Sequence, residues 1–291
     1  MATRAYTAAE IIAEVASLIP PSTAFVPDLV RAPLPRVIPE EVLKPMKAKN
    51  YLVDQEISGT LPHVLEGPIP HKTWIASLKN ELLDESATGR SITAVRHPTE
   101  DLIFPLWVLP VWDSIAVVCQ ERMLWVQATE WLQPGKHRQQ DLGDVERARQ
   151  LMAKLPWAMT AWALPGYEAE SHIGFIAKFL SSSWLAERNL DLMRICLNTA
   201  AVESGNRTRS HVAPVYLGCK LQWIGDWSAE RIREDRDLVE WRDIALQNRY
   251  RYLHIPTNLT DTHWIVFRID IEGQSYSWGL LLIPTLVNAP C

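Results

Sequence analysis

Between Tyr252 and Gly279 short apolar runs alternate with turn signals, a pattern that points to a β-meander. Leu253-His254-Ile255 leads to Pro256-Thr257-Asn258, which reads as a turn. His263–Ile271 is rich in Ile, Val and Phe and reads as a strand. Glu272-Gly273 is a second turn, and Gln274–Trp278 a returning strand. The arrangement places His263 where a strand leaves its loop, a position from which scaffolds present reactive groups. A His next to a Trp at a strand start is in general more often a packed residue than a catalyst.

The 291 residues are enough for one or two domains with a sizeable core. The formal net charge of −5 gives no basic footprint for nucleic acid. The four cysteines, Cys119, Cys196, Cys219 and Cys291, form no Cys-x-x-Cys pair. No His cluster stands at zinc spacing, so neither a metal site nor a cofactor is expected. The cysteine spacing suggests no disulfide framework, no signal peptide is visible, and no apolar run approaches the ~20 residues of a membrane span. An intracellular location, nucleus or cytoplasm, is expected.

Taken in order, Thr7-Ala8-Ala9-Glu10 is a capping-box pattern that opens a short helix. Seven prolines between Pro20 and Pro45 suggest an extended, surface-hugging arm, so residues 1–50 are read as a helix plus a Pro-rich arm. Helical spacing over His71–Glu85, about Trp112–Trp131 and Asp144–Leu155 makes residues 51–170 a mainly helical, Trp-rich region of unassigned role. Pro105 and Pro110 exclude Leu102–Trp112 from the middle of a sheet. Further on, Trp184-Leu185 opens a helix with Leu190, Met193, Leu197 and Ala200 along one face. Val212–Leu221 reads as a strand, and the charge-dense Ser228–Gln247 as a solvated helix.

The segment Tyr252–Gly279 resembles the histidine segment of the SUMO and ubiquitin-like-protein proteases, papain-like cysteine peptidases. Their pattern has an Ile-Pro-x-Asn-like strand, then His-Trp, an apolar strand ending in Asp, a turn and an aromatic-rich strand. Trp184-Leu185-Ala186-Glu187-Arg188-Asn189-Leu190 is similar to the Trp-Leu-Asn-Asp-Glu-x-Ile that opens the same catalytic domain, with Ala186 in place of Asn. The resemblance covers about residues 180–279. It implies an α+β fold: a helical N-terminal region followed by a truncated papain-like peptidase domain over residues 171–279. By the same resemblance His263 is the general base, Trp184 and Trp264 enclose a di-glycine tail, and Glu187 meets the ubiquitin-like partner. The implied activity is thiol-dependent proteolysis after a C-terminal Gly-Gly.

The family's remaining groups do not follow. The Asp that would orient the imidazole is expected at position 280, where Leu280 stands. Asp270 lies seven residues past His263 on the same strand, an odd separation that points the two side chains to opposite faces. No cysteine after His263 has a preceding Gln; Cys291 is the last residue, and Cys119, Cys196 and Cys219 precede the His. Residues 280–291 are therefore a non-family tail, this chain is expected to be inactive, and its meander to carry an exposed edge. The alternatives are a non-catalytic module that binds ubiquitin-like proteins, or a helical interaction protein.

Overall fold

The capping box at Thr7 forms as its sequence demands: the Glu10 amide donates to Thr7 Oγ1 and the Thr7 amide to Glu10 Oε2. It opens α1 (Ala8–Leu18), which buries Ile11 and Val15. The computed structural model describes residues 7–55, 57, 67–87, 89, 91–137, 141–160, 172–181, 185–203, 210–223, 227–259 and 263–280. The chain divides into two compact units, Met1–Met159 and Thr160–Cys291, earlier than the expected division at 170/171.

In the first unit the Pro-rich segment is not an extended arm. It contains α2 (Val26–Arg31) and α3 (Glu40–Leu43), and it buries Val26, Leu29, Ile38 and Leu43. Pro27 sits in the first turn of α2, where a missing N–H costs nothing, and Pro39 immediately precedes α3. Residues between the prolines also bond outward: the Ile38 amide donates to Ile69 O at 2.8 Å and the Ile69 amide to Arg36 O at 2.7 Å. Counting prolines as breakers overlooked the apolar residues spaced among them.

The strands β1 (Leu52–Val53), β2 (Ala94–Arg96) and β3 (Ile103–Pro105) form an antiparallel sheet in that order, with α4 (Lys72–Ala87) between the first two in sequence. Pro105 ends an edge strand, as its missing donor requires. The long α5 (Val108–Trp131) starts before the expected Trp112, with Pro110 tolerated in its first turn, and buries Trp112, Ile115, Cys119 and Trp125. The short α6 (Leu142–Met152) completes the unit's helices among the described residues.

The second unit is built on a four-stranded sheet of β4 (Ser210–Val212), β5 (Tyr252–Leu259), β6 (His263–Asp270) and β7 (Ser275–Leu280), in that order. β4 pairs parallel with β5 and the other pairs are antiparallel. The whole chain is thus α+β. Pro256-Thr257-Asn258 is not a turn; these residues continue β5 opposite Val266, Ile265 and Trp264. The strand tolerates Pro256 because β4 ends at Val212, opposite His254, leaving a free edge beyond it.

That edge is covered by α8 (Val215–Trp223), which replaces the strand expected over Val212–Leu221. Pro214 ends the extended run, and the Leu217 amide donates to Pro214 O to start the helix. α8 approaches β5 at Gly218, where a Cβ would stand 2.2 Å from Pro256 O. The charge-dense segment is two helices, α9 (Ala229–Glu234) and α10 (Arg236–Gln247), divided at Asp235. Asp235 caps α10 through the Leu238 amide and receives Lys220 Nζ of α8 at 2.7 Å. The Lys220 ammonium, the largest influence, holds the Asp235 carboxyl below its usual range. This segment is not merely solvated, since Leu238 and Trp241 pack on the apolar sheet face of Leu253, Ile255, Phe267 and Ile269.

Candidate functional site

The two sheet faces of the second unit separate by alternation. Leu253, Ile255, Ile265, Phe267 and Ile269 lie on one face; His254, Pro256, Trp264, Val266 and Arg268 lie on the other. α7 (Glu187–Glu203) supplies the residues against the second face. Leu190 of α7, Val215 of α8 and Trp264 of β6 form one buried cluster, with Leu185, Met193 and Cys219 packed around it. The Trp264 indole N–H donates to Leu185 O at 3.0 Å. Two segments 79 positions apart are joined by that bond.

Asn189, fully buried, fixes the entrance to α7. Its Oδ1 accepts from the Ala186 amide at 3.0 Å, and its Nδ2 donates to Phe175 O at 2.7 Å. Phe175 lies in the 3-10 helix Ile173–Leu180, so one amide ties that helix to the start of α7. Farther along, Asn198 bonds both backbone groups of Val212, accepting from its amide at 3.1 Å and donating to its carbonyl at 2.9 Å. In this way the side chain serves the outer edge of β4 as a neighbouring strand would. Asp191 Oδ1 accepts from the Val215 amide and from Arg194 Nε, linking α7 to the start of α8.

No family model, curated protein or solved structure matches this chain.

His263 is the first residue of β6, opposite Leu259, and its side chain is exposed. Trp264 is buried rather than open, its face spent on Leu190 and Val215. Glu187 is exposed at the first position of α7, close in sequence to the Trp264–Leu185 bond. Trp184 lies outside the described residues, as does Cys291. Leu280 pairs in register with Ile265 at the end of β7, so the backbone at 280 does run beside the strand that begins with His263.

Asp270 is at the far end of β6 from His263, ~23 Å away at about 3.3 Å per residue. It has a structural task there: Oδ1 accepts from the Gly273 amide at 2.9 Å and Oδ2 lies 3.6 Å from Arg251. The Gly273 amide is the largest cause of its carboxyl being held below the usual range. Burial pushes the Cys119 thiol up to about 11, away from thiolate character, and it donates to Pro35 O within the first unit. Cys196 is exposed on α7, whereas Cys219 sits in the Trp264 cluster. Among the described residues no group of His, Cys, Asp or Glu could hold a metal ion, and no helix is long and apolar enough to cross a membrane.

The sequence reading missed Asn189, Asn198 and Gly218. Asn189 stood inside the Trp-Leu segment without a role; as the third residue of α7 its side chain reaches back to the Ala186 amide, the part a Glu or Gln plays in a capping box. Gln222 was missed as well; its side chain amide donates to Asn258 O, holding the end of α8 to β5 beside the start of β6.

Proposed function

We propose that the second unit is a papain-like domain of the SUMO and ubiquitin-like-protein protease family, and that this chain engages the Gly-Gly tail of a ubiquitin-like protein without cutting it. The observation that carries the reading is the Trp264–Leu185 hydrogen bond. It unites the His-Trp segment with the Trp-Leu segment, the two parts that the family uses on either side of its substrate's tail. In this reading His263 faces the tail from the start of β6 and Glu187 meets the body of the partner. The resemblance gives the border of the tail to Trp184 and Trp264, but the Trp264 ring is packed on Leu190 and Val215. Contact with the tail is therefore assigned to the exposed His263. The partner places the protein in the nucleus or cytoplasm.

Cleavage needs a thiolate, a base, an orienting group and an oxyanion donor acting together. His263 can act as a base, but Leu280 carries no carboxylate to orient and charge-balance the imidazole as the family's Asp does. Asp270 is committed to the Gly273 turn. Binding is therefore the activity assigned to this chain.

The test is titration of the chain with a SUMO-like protein ending in Gly-Gly, read by calorimetry. Saturable binding is expected, lost when the two glycines are removed and weakened by Glu187→Lys, an exposed substitution that leaves the fold intact. No binding at high micromolar protein, or binding indifferent to the tail, would overturn the reading. A second arm uses the same partner with a C-terminal electrophile: no cysteine is expected to be labelled, and labelling at Cys219 would show that the chain retains a nucleophile.

A further inference from the structure

His97 is 2% exposed, and hydrogen bonds engage both of its ring nitrogens. It follows β2 and opens the loop 97–102, which closes where the His97 amide donates to Leu102 O at 2.8 Å. Nδ1 accepts from the Glu100 amide at 3.0 Å and from the Thr99 amide at 3.3 Å. Nε2 lies 2.8 Å from the carbonyl of Pro68, 29 positions earlier in the chain. A backbone amide only donates and a carbonyl only accepts, so the ring is neutral and carries its proton on Nε2. One buried imidazole thereby joins the β2–β3 loop to the segment ahead of α4.

That segment is held from its other side by the bonds of Ile69 with Ile38 and Arg36. Gly67 lets it lie close to the loop: a Cβ there would stand 3.1 Å from Glu100 Cγ and 3.5 Å from His97 Nε2. Phe104 of β3 and Trp112 of α5 close the pocket, with ring centroids 6.4 and 5.7 Å from the imidazole. Neither brings an oxygen to receive a second ring proton. Burial is the largest influence on His97 and lowers it from its ordinary value; the Pro68 bond and the Glu100 carboxylate act in the other direction. Residues 67–69 and β3 carry no ionisable side chain, and Asp113, next to Trp112 on α5, is paired with Lys79 of α4. Arg96 and Asp101, near His97 in the chain, are exposed.

We infer that His97 is an acid-sensitive latch of the first unit: neutral, it fastens Pro68 to the loop 97–102, and on gaining a proton it lets the two part. A proton added at Nδ1 points at the Thr99 and Glu100 N–H groups, which lose their acceptor and must turn to water. The released ring takes up its proton near the ordinary value of 6.5, so the latch is fully closed above that pH and opens progressively below it. None of its residues belongs to the second unit, so the latch stands apart from the tail-binding reading.

The experiment is nuclear magnetic resonance of the isotope-labelled full chain, with the His97 ring signal assigned by its loss in His97→Asn. A neutral ring protonated on Nε2 is expected at neutral pH. Protection of the Thr99 and Glu100 amides from hydrogen exchange, corrected for the intrinsic rate, should fall about tenfold between about pH 7.5 and about pH 5.5, the effect of one proton taken up near 6.5 by the open form. Both amides should exchange faster than the core amides of α5 throughout, the mark of a local opening. His97→Asn keeps an acceptor for the two amides, His97→Gln keeps a donor for Pro68 O, and neither titrates, so each should remove the pH dependence. A proton on Nδ1 at neutral pH, protection indifferent to pH, exchange no faster than in α5, or pH dependence retained in the variants would each overturn the inference.

Discussion

Asn189 shows what one buried amide does for this fold. Its two bonds, to Ala186 and Phe175, are made where no water reaches, so removing it leaves two backbone groups without partners. Asn189→Ala should cost about 2 kcal/mol, read as a lower urea midpoint at unchanged slope. His211 makes a prediction about pH. It stacks on Tyr250 at 4.6 Å between centroids, and burial followed by Arg194 lowers it from 6.5 to about 4. The unfolded chain therefore takes up a proton near 6.5 that the folded chain refuses until about 4. Stability is fully present above that window and is lost as pH falls through it, with His254 acting in the same direction. Thermal melts from neutral to mildly acidic pH should show a falling midpoint, and His211→Phe should flatten part of the slope. A flat profile in the parent would contradict this placement of His211.

Among the elements, α8 is the part that composition and periodicity described least well. Apolar residues from Val212 to Leu221 suit a strand, yet Pro214 and the Asp191–Val215 bond turn them into a helix along the free edge of β5. The approach is close because residue 218 is glycine. Gly218→Ala would place a methyl group 2.4 Å from Thr257 Oγ1 and 2.2 Å from Pro256 O, a backbone atom that cannot swing away. The expected cost is about 3 kcal/mol, with α8 displaced and the Trp264 cluster loosened, visible in chemical unfolding and in tryptophan emission. The α9–α10 break was legible in principle, since Asp235 precedes an apolar-periodic run as caps do. Charge density obscured it. The meander, by contrast, was legible from alternation alone, apart from Pro256-Thr257-Asn258. Those residues look like a turn until the end of β4 shows that β5 has an open side there.

At the scale of the whole molecule, the second unit's sheet ends on an aromatic strand that nothing described covers. Tyr276 and Trp278 are 79% and 66% exposed, on the face that carries Ile269 and Phe267 one strand away. Among the described residues β7 pairs only with β6, and it bears no charge and no proline, the usual protections of an edge. Self-association that grows with concentration is expected by sedimentation. Tyr276→Lys with Trp278→Lys should suppress it without lowering the melting temperature, since neither ring contributes to the buried core. Unchanged association in the double variant would place the contact elsewhere.

The sequence by itself determined what is local: the capping box at Thr7, the helix periods, the alternation of β6, and the absence of an Asp at 280. It also determined that His263 would stand at a strand start, because the strand's apolar pattern begins there. Tertiary structure alone decided what depends on residues far apart in the chain. The packing of the proline segment needed Ile69 to meet Ile38, and the placement of α7 needed Trp264 to meet Leu185. Such contacts are set by which apolar faces find one another on collapse. Neither spacing nor propensity encodes that choice, so the buried cluster of Leu190, Val215 and Trp264 appears only when helix and sheet are brought together.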